Sequence, residues 1–167
     1  MLKNGKDTIL LVQPIDAIIG DQGLVVAEQT EGTHSIENEL IDETSKMGRI
    51  LAYGQNSESF ELTAYGVKGD PGQKAVLDAI RQKKELKVWE VDLVANEAGT
   101  YDAVFAFCLV ESVENSSPGD NFIEVSATLQ VKGDSVEGTL TTLPEGISQK
   151  SSYEFETPGE TGATAGV

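Results

Sequence analysis

The most constraining feature of the sequence is the stretch FIEVSATLQV, residues 122–131, in which apolar and polar side chains alternate. A period of two places the two sets on opposite faces of an extended chain. The stretch therefore predicts a half-buried β-strand. Its polar face carries Glu124, Ser126, Thr128 and Gln130.

Most of the remaining chain also predicts β structure. Residues 101–113, YDAVFAFCLVESV, are rich in aromatic and β-branched side chains, so we expect a strand that buries Tyr101, Phe105, Phe107 and Leu109. The turn-forming segment NSSPGDN, residues 115–121, joins this strand to the next as a hairpin. Further strands are expected at residues 7–13, 24–28, 33–39, 48–53, 59–65 and 86–93.

One helix is expected, at about residues 70–84. Asp70 is a suitable N-cap, and Pro71 occupies the first helical position, where a missing N–H group costs nothing. Ala75, Val76, Ala79 and Ile80 form an apolar stripe at helical spacing. The helix ends with the bases Arg81, Lys83 and Lys84, which either complement the helix dipole or bind a partner.

The chain of 167 residues is strongly acidic, with a formal net charge of −16. We expect one domain at residues 1–150 and a flexible tail at 151–167, which is rich in Gly and Thr. We expect no signal segment and no membrane span, and hence synthesis in the cytoplasm. The charge disfavours DNA binding by phosphate neutralisation, which needs a basic surface.

No catalytic, metal or cofactor site is predicted. The single histidine, His34, has no nucleophile at a supporting spacing, and Cys108 lies in an apolar strand where a thiol acts as a small hydrophobe. The acids at 37, 39, 42 and 43 lack the fixed glycine and alternation of a calcium loop. An acidic hydrolase that used carboxylates such as Asp92 and Asp102 is disfavoured, because nothing in the sequence pairs those groups.

Residues 35–54 and 59–66 predict a long hairpin that mixes charged and exposed aliphatic side chains. Such an edge invites pairing with another chain, which points to assembly. The candidate interface residues are Glu39, Asp42, Glu43, Lys46, Met47, Arg49 and Ile50 in the hairpin, Arg81, Lys83 and Lys84 at the helix end, and Tyr153 and Phe155 in the tail.

An ordered series of segments carries a family resemblance over roughly residues 7–157. The segments are IDETSKMGRILAYG (41–54), GDPGQKAVLDAI (69–80), KVWEVD (87–92), YDAVFAFCLVES (101–112), EVSATLQVKG (124–133) and TLPEGI (142–147). In their order and spacing they resemble the major tail proteins of long-tailed, non-contractile bacteriophages of the TP901-1 and SPP1 type.

The resemblance implies a β-sandwich or barrel-like core with one flanking helix. It also implies hexameric rings that stack into a tail tube, the conduit for genomic DNA during ejection, in a virion assembled in the host cytoplasm. Three extensions would join the rings: residues 1–7, an arm at about 37–60, and 134–157. Implied partners are other copies and the tape-measure, terminator and distal tail proteins, with DNA passing unbound. Glu124, Ser126, Thr128 and Gln130 are candidate lumen residues.

A different class of function also fits the residues. An acidic β-domain can act as a monomeric adaptor, or can mimic nucleic acid in a basic site of another protein. Whether the chain self-assembles distinguishes this hypothesis from the tail-tube hypothesis.

Overall fold

A computed structural model describes residues 2–145, residue 147 and residues 155–163. Over these residues the chain forms eight antiparallel strands, one α-helix and a short 3-10 helix, Gly5–Asp7. The elements are β1 (Thr8–Pro14), β2 (Leu24–Val25), β3 (Gln29–Ser45), β4 (Gly48–Tyr65), α1 (Pro71–Gln82), β5 (Glu85–Asp92), β6 (Tyr101–Ser116), β7 (Glu124–Val131) and β8 (Val136–Leu140). The expected mainly β fold with one helix is confirmed.

The strands form a single sheet in the order β2-β1-β5-β6-β7-β4-β3, with β8 paired to β6. The sheet curls around one core that contains side chains from strands at both of its ends, including Leu10 of β1 and Phe60 of β4. Gln29, at the start of β3, joins the two ends. Its side-chain amide accepts from the Leu10 amide at 2.9 Å and donates to the Leu10 carbonyl at 2.7 Å, as a paired strand would. The core is therefore barrel-like.

The helix lies on the inner side of this sheet and closes the core. Asp70 caps it as expected, because its Oδ2 accepts from the Gln73 amide at 2.9 Å. Ala75, Val76 and Ala79 are buried in the core cluster. Lys83 ends the helix in a left-handed conformation, with φ of 55°.

A second apolar cluster lies on the outer face of β1, β5 and β6. It is centred on Leu11, Val91 and Ala103, and residues after β7 cover it, namely Leu140, Leu143 and Ile147. The segment at 134–157, expected as an extension, therefore includes a strand of the chain's own sheet, β8. The position of β8 is stabilised by burial of Leu140 against this cluster.

The expected long hairpin is confirmed, with different limits. β3 and β4 pair from Gln29 to Ser45, but β4 pairs with β7 only from Ser59 onward. Residues 37–57 therefore project beyond the sheet as a two-stranded ribbon, called the arm below. Phe60, which the family resemblance placed at the end of the arm, is fully buried in the core.

The expected burial along β6 is wrong at two positions. Phe107 is 38% exposed and Leu109 is 49% exposed, because the described residues that cover this face of β6, among them Leu140, pack over Tyr101 and Ala103 near the start of the strand. The inward positions of β6 belong instead to the small side chains of Ala106 and Cys108.

Candidate functional site

The outer face of β7 continues across three neighbouring strands as one polar surface. Gln130 lies opposite Ser59 of β4, Thr128 opposite Glu61, and Ser126 opposite Thr63. Opposed residues of antiparallel strands share a face, so the four polar residues predicted on β7 lie together, turned away from the core and from α1. Glu124 and Gln130 are exposed, and the two hydroxyl residues between them are half-buried.

Within the four strands that form it, outside the arm, this surface carries charge of one sign, and Lys132 lies at its border just after β7. Residues 29–45 of β3, 101–116 of β6 and 124–131 of β7 contain no Lys or Arg, and the sole base of β4, Arg49, lies in the arm. We call the surface the acidic face. It carries five carboxylates, those of Glu31, Glu61, Glu111, Glu114 and Glu124.

The arm exposes large apolar side chains along its whole length. Its residues Leu40, Ile41, Met47, Ile50, Leu51 and Tyr53 are each between 48% and 97% exposed. An isolated two-stranded ribbon is marginally stable in water, and apolar surface of this extent marks an interaction site.

Both faces of the arm carry large apolar side chains among charged ones. On one face Leu40 lies opposite Tyr53, and Leu51 lies opposite Asp42. On the other face Ile41 lies opposite Ala52, and Ile50 lies opposite Glu43. A ribbon that packed against a single surface would need only one apolar face.

One ion pair stiffens the arm. Arg49 donates from Nε and Nη2 to the two carboxylate oxygens of Asp42, each at 2.8 Å. These bonds lower the pKa of Asp42 below its ordinary value. Two predicted interface residues are thus paired with each other, while Glu39, Glu43 and Lys46 are exposed and make no salt bridge within the described residues.

The root of the arm contains a buried polar cluster that the sequence analysis missed. Glu58 accepts from the amide and hydroxyl of Ser135, at 3.1 and 2.6 Å, and from Nε2 of His34 at 3.0 Å. Burial raises the pKa of Glu58, but the Ser135 and His34 hydrogen bonds outweigh it, so the net pKa is lowered. The alternation of side chains along β4 indicates that Glu58 is buried, because residues two apart share a face and Phe60 and Leu62 point into the core.

This cluster does not form a nucleophilic triad. The Ser135 hydroxyl donates to the carboxylate and not to the imidazole of His34, so no base activates it. The His34 ring instead stacks on Phe60, with ring centroids 4.4 Å apart. Burial raises the pKa of the Cys108 thiol to about 12, which leaves it neutral. Within the described residues no group of three potential ligands is placed to hold a metal ion.

The basic end of the helix is only partly free. Lys84 donates to Asp16 of the same chain at 2.8 Å, so it already has a partner. Arg81 and Lys83 are exposed. Phe155 of the tail is 92% exposed, and Tyr153 lies outside the described residues.

No helix within the described ranges combines the length and the apolar character that crossing a membrane requires.

Comparisons with known proteins agree with each other. A family profile described as "Phage tail tube protein" matches residues 2–137. The chain is 46% identical over 159 residues to the tail tube protein gp17.1* of Bacillus phage SPP1. The aligned region covers 94% of this chain and 60% of that protein. It is 34% identical over 128 residues to a putative tail protein of Staphylococcus phage phiMR11, and that aligned region covers 75% of this chain and 66% of the phiMR11 protein. The chain thus spans less than two thirds of each of these relatives.

Solved structures match as well. The structure of the SPP1 tail tube, determined by solid-state NMR and cryo-EM, has a TM-score of 0.81 at 38% identity, covering 97% of this chain and 95% of that one. A chain of the virion of a native gene transfer agent particle has a TM-score of 0.65 at 15% identity, covering 82% and 99%. At that identity the second match shows a shared fold alone.

Proposed function

The chain belongs to the phage tail tube protein family, and from that membership we propose that its copies assemble into stacked hexameric rings that form a bacteriophage tail tube. The tube is the conduit through which genomic DNA leaves the virion for the host. The observation that carries the proposal is the match to the SPP1 tail tube over 97% of the chain, at a TM-score of 0.81. The role is structural, and it involves no enzymatic step.

The acidic face lines the lumen in this proposal. Glu124, Ser126, Thr128 and Gln130 stand on it beside further glutamates, with no Lys or Arg in the strands that build it. A negative, hydroxyl-rich wall repels phosphates, so DNA passes without specific binding. A basic wall would release counterions from the DNA, bind it and slow it.

The arm is the principal contact between copies. It offers aliphatic side chains on two faces, with Glu39, Glu43, Lys46 and Met47 exposed among them. At the helix end, Arg81 and Lys83 remain available to an acidic neighbour, whereas Lys84 is held by Asp16. Tyr153 and Phe155 belong to the proposed interface through the tail.

The ends of such a tube require other proteins. A stack of identical rings has no inherent length, so a tape-measure protein, a terminator and a distal tail protein are the proposed partners in the virion. Before assembly the chain resides in the host cytoplasm.

Electron microscopy of the purified chain tests the proposal, together with sedimentation over a range of concentrations. We expect hollow tubes or stacked rings with six-fold symmetry. A chain that stays monomeric at every concentration, and also after tail-tip proteins are added as initiators, would contradict the tube. It would favour the monomeric adaptor instead.

A further inference from the structure

An exposed apolar row borders the acidic face on the body of the molecule. Trp89 and Phe105 lie with ring centroids 5.1 Å apart, and Phe105 and Phe107 are in edge contact at 5.0 Å. Leu109 continues the line, because residues two apart on β6 share a face. We call these four residues the aromatic row. Its outer members, Phe107 and Leu109, are 38% and 49% exposed.

Two lysines flank the centre of the aromatic row. Lys87 of β5 lies directly opposite Phe107. On the other side, the Lys132 amide donates to the Phe107 carbonyl at 2.7 Å, which places Lys132 next to the same residue. The Lys132 ammonium pairs with Glu85, whereas Lys87 makes no salt bridge within the described residues. Glu85 lies opposite Leu109, so its charge and that of Lys132 offset each other. Lys87 is therefore the lysine beside the row that can pair with an acidic group of another copy.

We propose that the aromatic row is the docking surface for the arm of a second copy, through the arm face that carries Ile41, Ile50 and Glu43. The proposal rests on the assembly proposed above and adds which surfaces meet. The arm face and the row share the two-residue period of a strand, so aliphatic side chains can lie along aromatic ones. The charges are complementary, because Glu43 is exposed and unpaired among described residues and the row offers Lys87.

The arm suits this surface better than the chain's tail. Its strands are already hydrogen-bonded to each other from Leu40 to Tyr53, so docking orders side chains but little backbone. The described part of the tail, residues 155–163, contains no strand and one large apolar side chain, that of Phe155. To lie along the row as a strand, residues 155–163 would have to change their backbone conformation.

Site-specific photo-cross-linking tests the contact directly. Phe107→p-benzoylphenylalanine replaces one exposed aromatic group with another. It is assembled as an equal mixture of ¹⁵N-labelled and unlabelled chains, irradiated, and digested for mass spectrometry. We expect mixed-isotope cross-links from position 107 to peptides within residues 37–57. The matched control, Thr128→p-benzoylphenylalanine on the acidic face, should give none to the arm. Cross-links from position 107 to another segment, or none between chains, would overturn the proposal.

A charge exchange gives a second readout. Lys87→Glu and Glu43→Lys should each raise the concentration needed for assembly about tenfold, and the double variant should recover most of that loss. Failure of the double variant to recover, with both singles impaired, would also overturn the pairing. Wild-type assembly, scored in the same microscopy, separates the two proposals. Tubes that form without the predicted cross-link contradict only the docking surface, and absence of tubes even with initiators contradicts both.

Discussion

Glu58, at the root of the arm in β4, accepts a 2.6 Å hydrogen bond from the hydroxyl of Ser135 in the loop before β8. A second contact runs parallel to it, from the Asn56 side chain to Asp134 at 3.3 Å. The Glu58 side chain is only 4% exposed, so water does not replace its donors. Hydrogen bonds thus join β4, where the arm leaves the sheet, to the loop before β8, which is 77 residues away in the chain.

Replacing this carboxylate should destabilise the chain. Glu58→Ala removes the buried acceptor of the half-buried Ser135 and His34 donors, and we expect the free energy of unfolding to fall by about 3 kcal/mol. Urea denaturation of the unassembled protein measures it. Glu61→Ala, at an exposed position three residues away on the outer face of β4, should change the same quantity by less than about 0.5 kcal/mol. Equal effects of the two substitutions would refute a special role for Glu58.

The same carboxylate predicts an acid dependence of stability. Because the pKa of Glu58 is lowered in the folded chain, its contribution is fully present above the unfolded value, near 4.5, and disappears as the pH falls through the folded pKa. The difference in melting temperature between wild type and Glu58→Gln should therefore be largest near neutral pH and shrink below about pH 4.5. Glu97→Gln, in an exposed turn, controls for general acid effects. A difference that is constant with pH would contradict this assignment.

Gly72 should not tolerate any side chain. A Cβ atom there would lie 2.3 Å from the Val25 carbonyl oxygen, so the first turn of α1 would have to move away from β2. We expect Gly72→Ala to lower the free energy of unfolding by about 2 to 3 kcal/mol, measured by denaturation. Gly119→Ala is the matched control, because a Cβ at that position meets nothing within 4 Å. A stable Gly72→Ala variant would show that the helix does not pack as described.

The two faces of the arm should both matter for assembly. Ile50→Ser and Leu51→Ser change neighbouring residues on opposite faces, and each side chain is more than half exposed in the single chain. We therefore expect neither to change the melting temperature of the unassembled protein by more than about 2 °C, while each reduces tube formation at least about tenfold. Sedimentation and microscopy provide the readout.

An exposed aliphatic residue outside the arm controls for general loss of hydrophobicity. Ile19 is fully exposed in the loop after β1, and Ile19→Ser should assemble normally. If either Ile50→Ser or Leu51→Ser also assembles normally, only one face of the arm is an interface.

The local elements were predictable because their signals are local. Alternation located β7, and Asp70 with Pro71 located the start of α1. The sequence divided β4 into two strands around the polar segment 54–58, but pairing with β3 carries the strand through it, because long-range hydrogen bonds override weak local preference.

What the sequence could not show is which apolar face is covered. Phe107 and Leu109 are residue types found in cores, and the buried centre of an obligate interface resembles a core in composition. The alternation along β4 turns Glu58 inward, but the hydrogen bonds that let a carboxylate be buried there could not be predicted, since its donors come from Ser135 and His34, which are distant in the chain. Burial in a protein that assembles depends on partners as well as on the chain itself.

The acidic face yields the most direct prediction about DNA. Reversing two of its charges, in a Glu61→Lys and Glu124→Lys double variant, changes the face by four charges per copy without touching the core, because both side chains are exposed. Assembled wild-type tubes should not retain double-stranded DNA. Tubes of the variant should retain it at low salt and release it as salt rises, because phosphate neutralisation depends on counterion release.

Fluorescence of labelled DNA that co-sediments with the tubes measures this retention. The matched control is Glu97→Lys with Glu145→Lys, which adds the same charge at exposed positions outside the four strands of the acidic face. If the control tubes retain as much DNA as the variant, charge alone explains the binding and the acidic face has no special relation to the lumen. If only the variant retains DNA, and short fragments enter it more readily than circles, the face lines an enclosed channel.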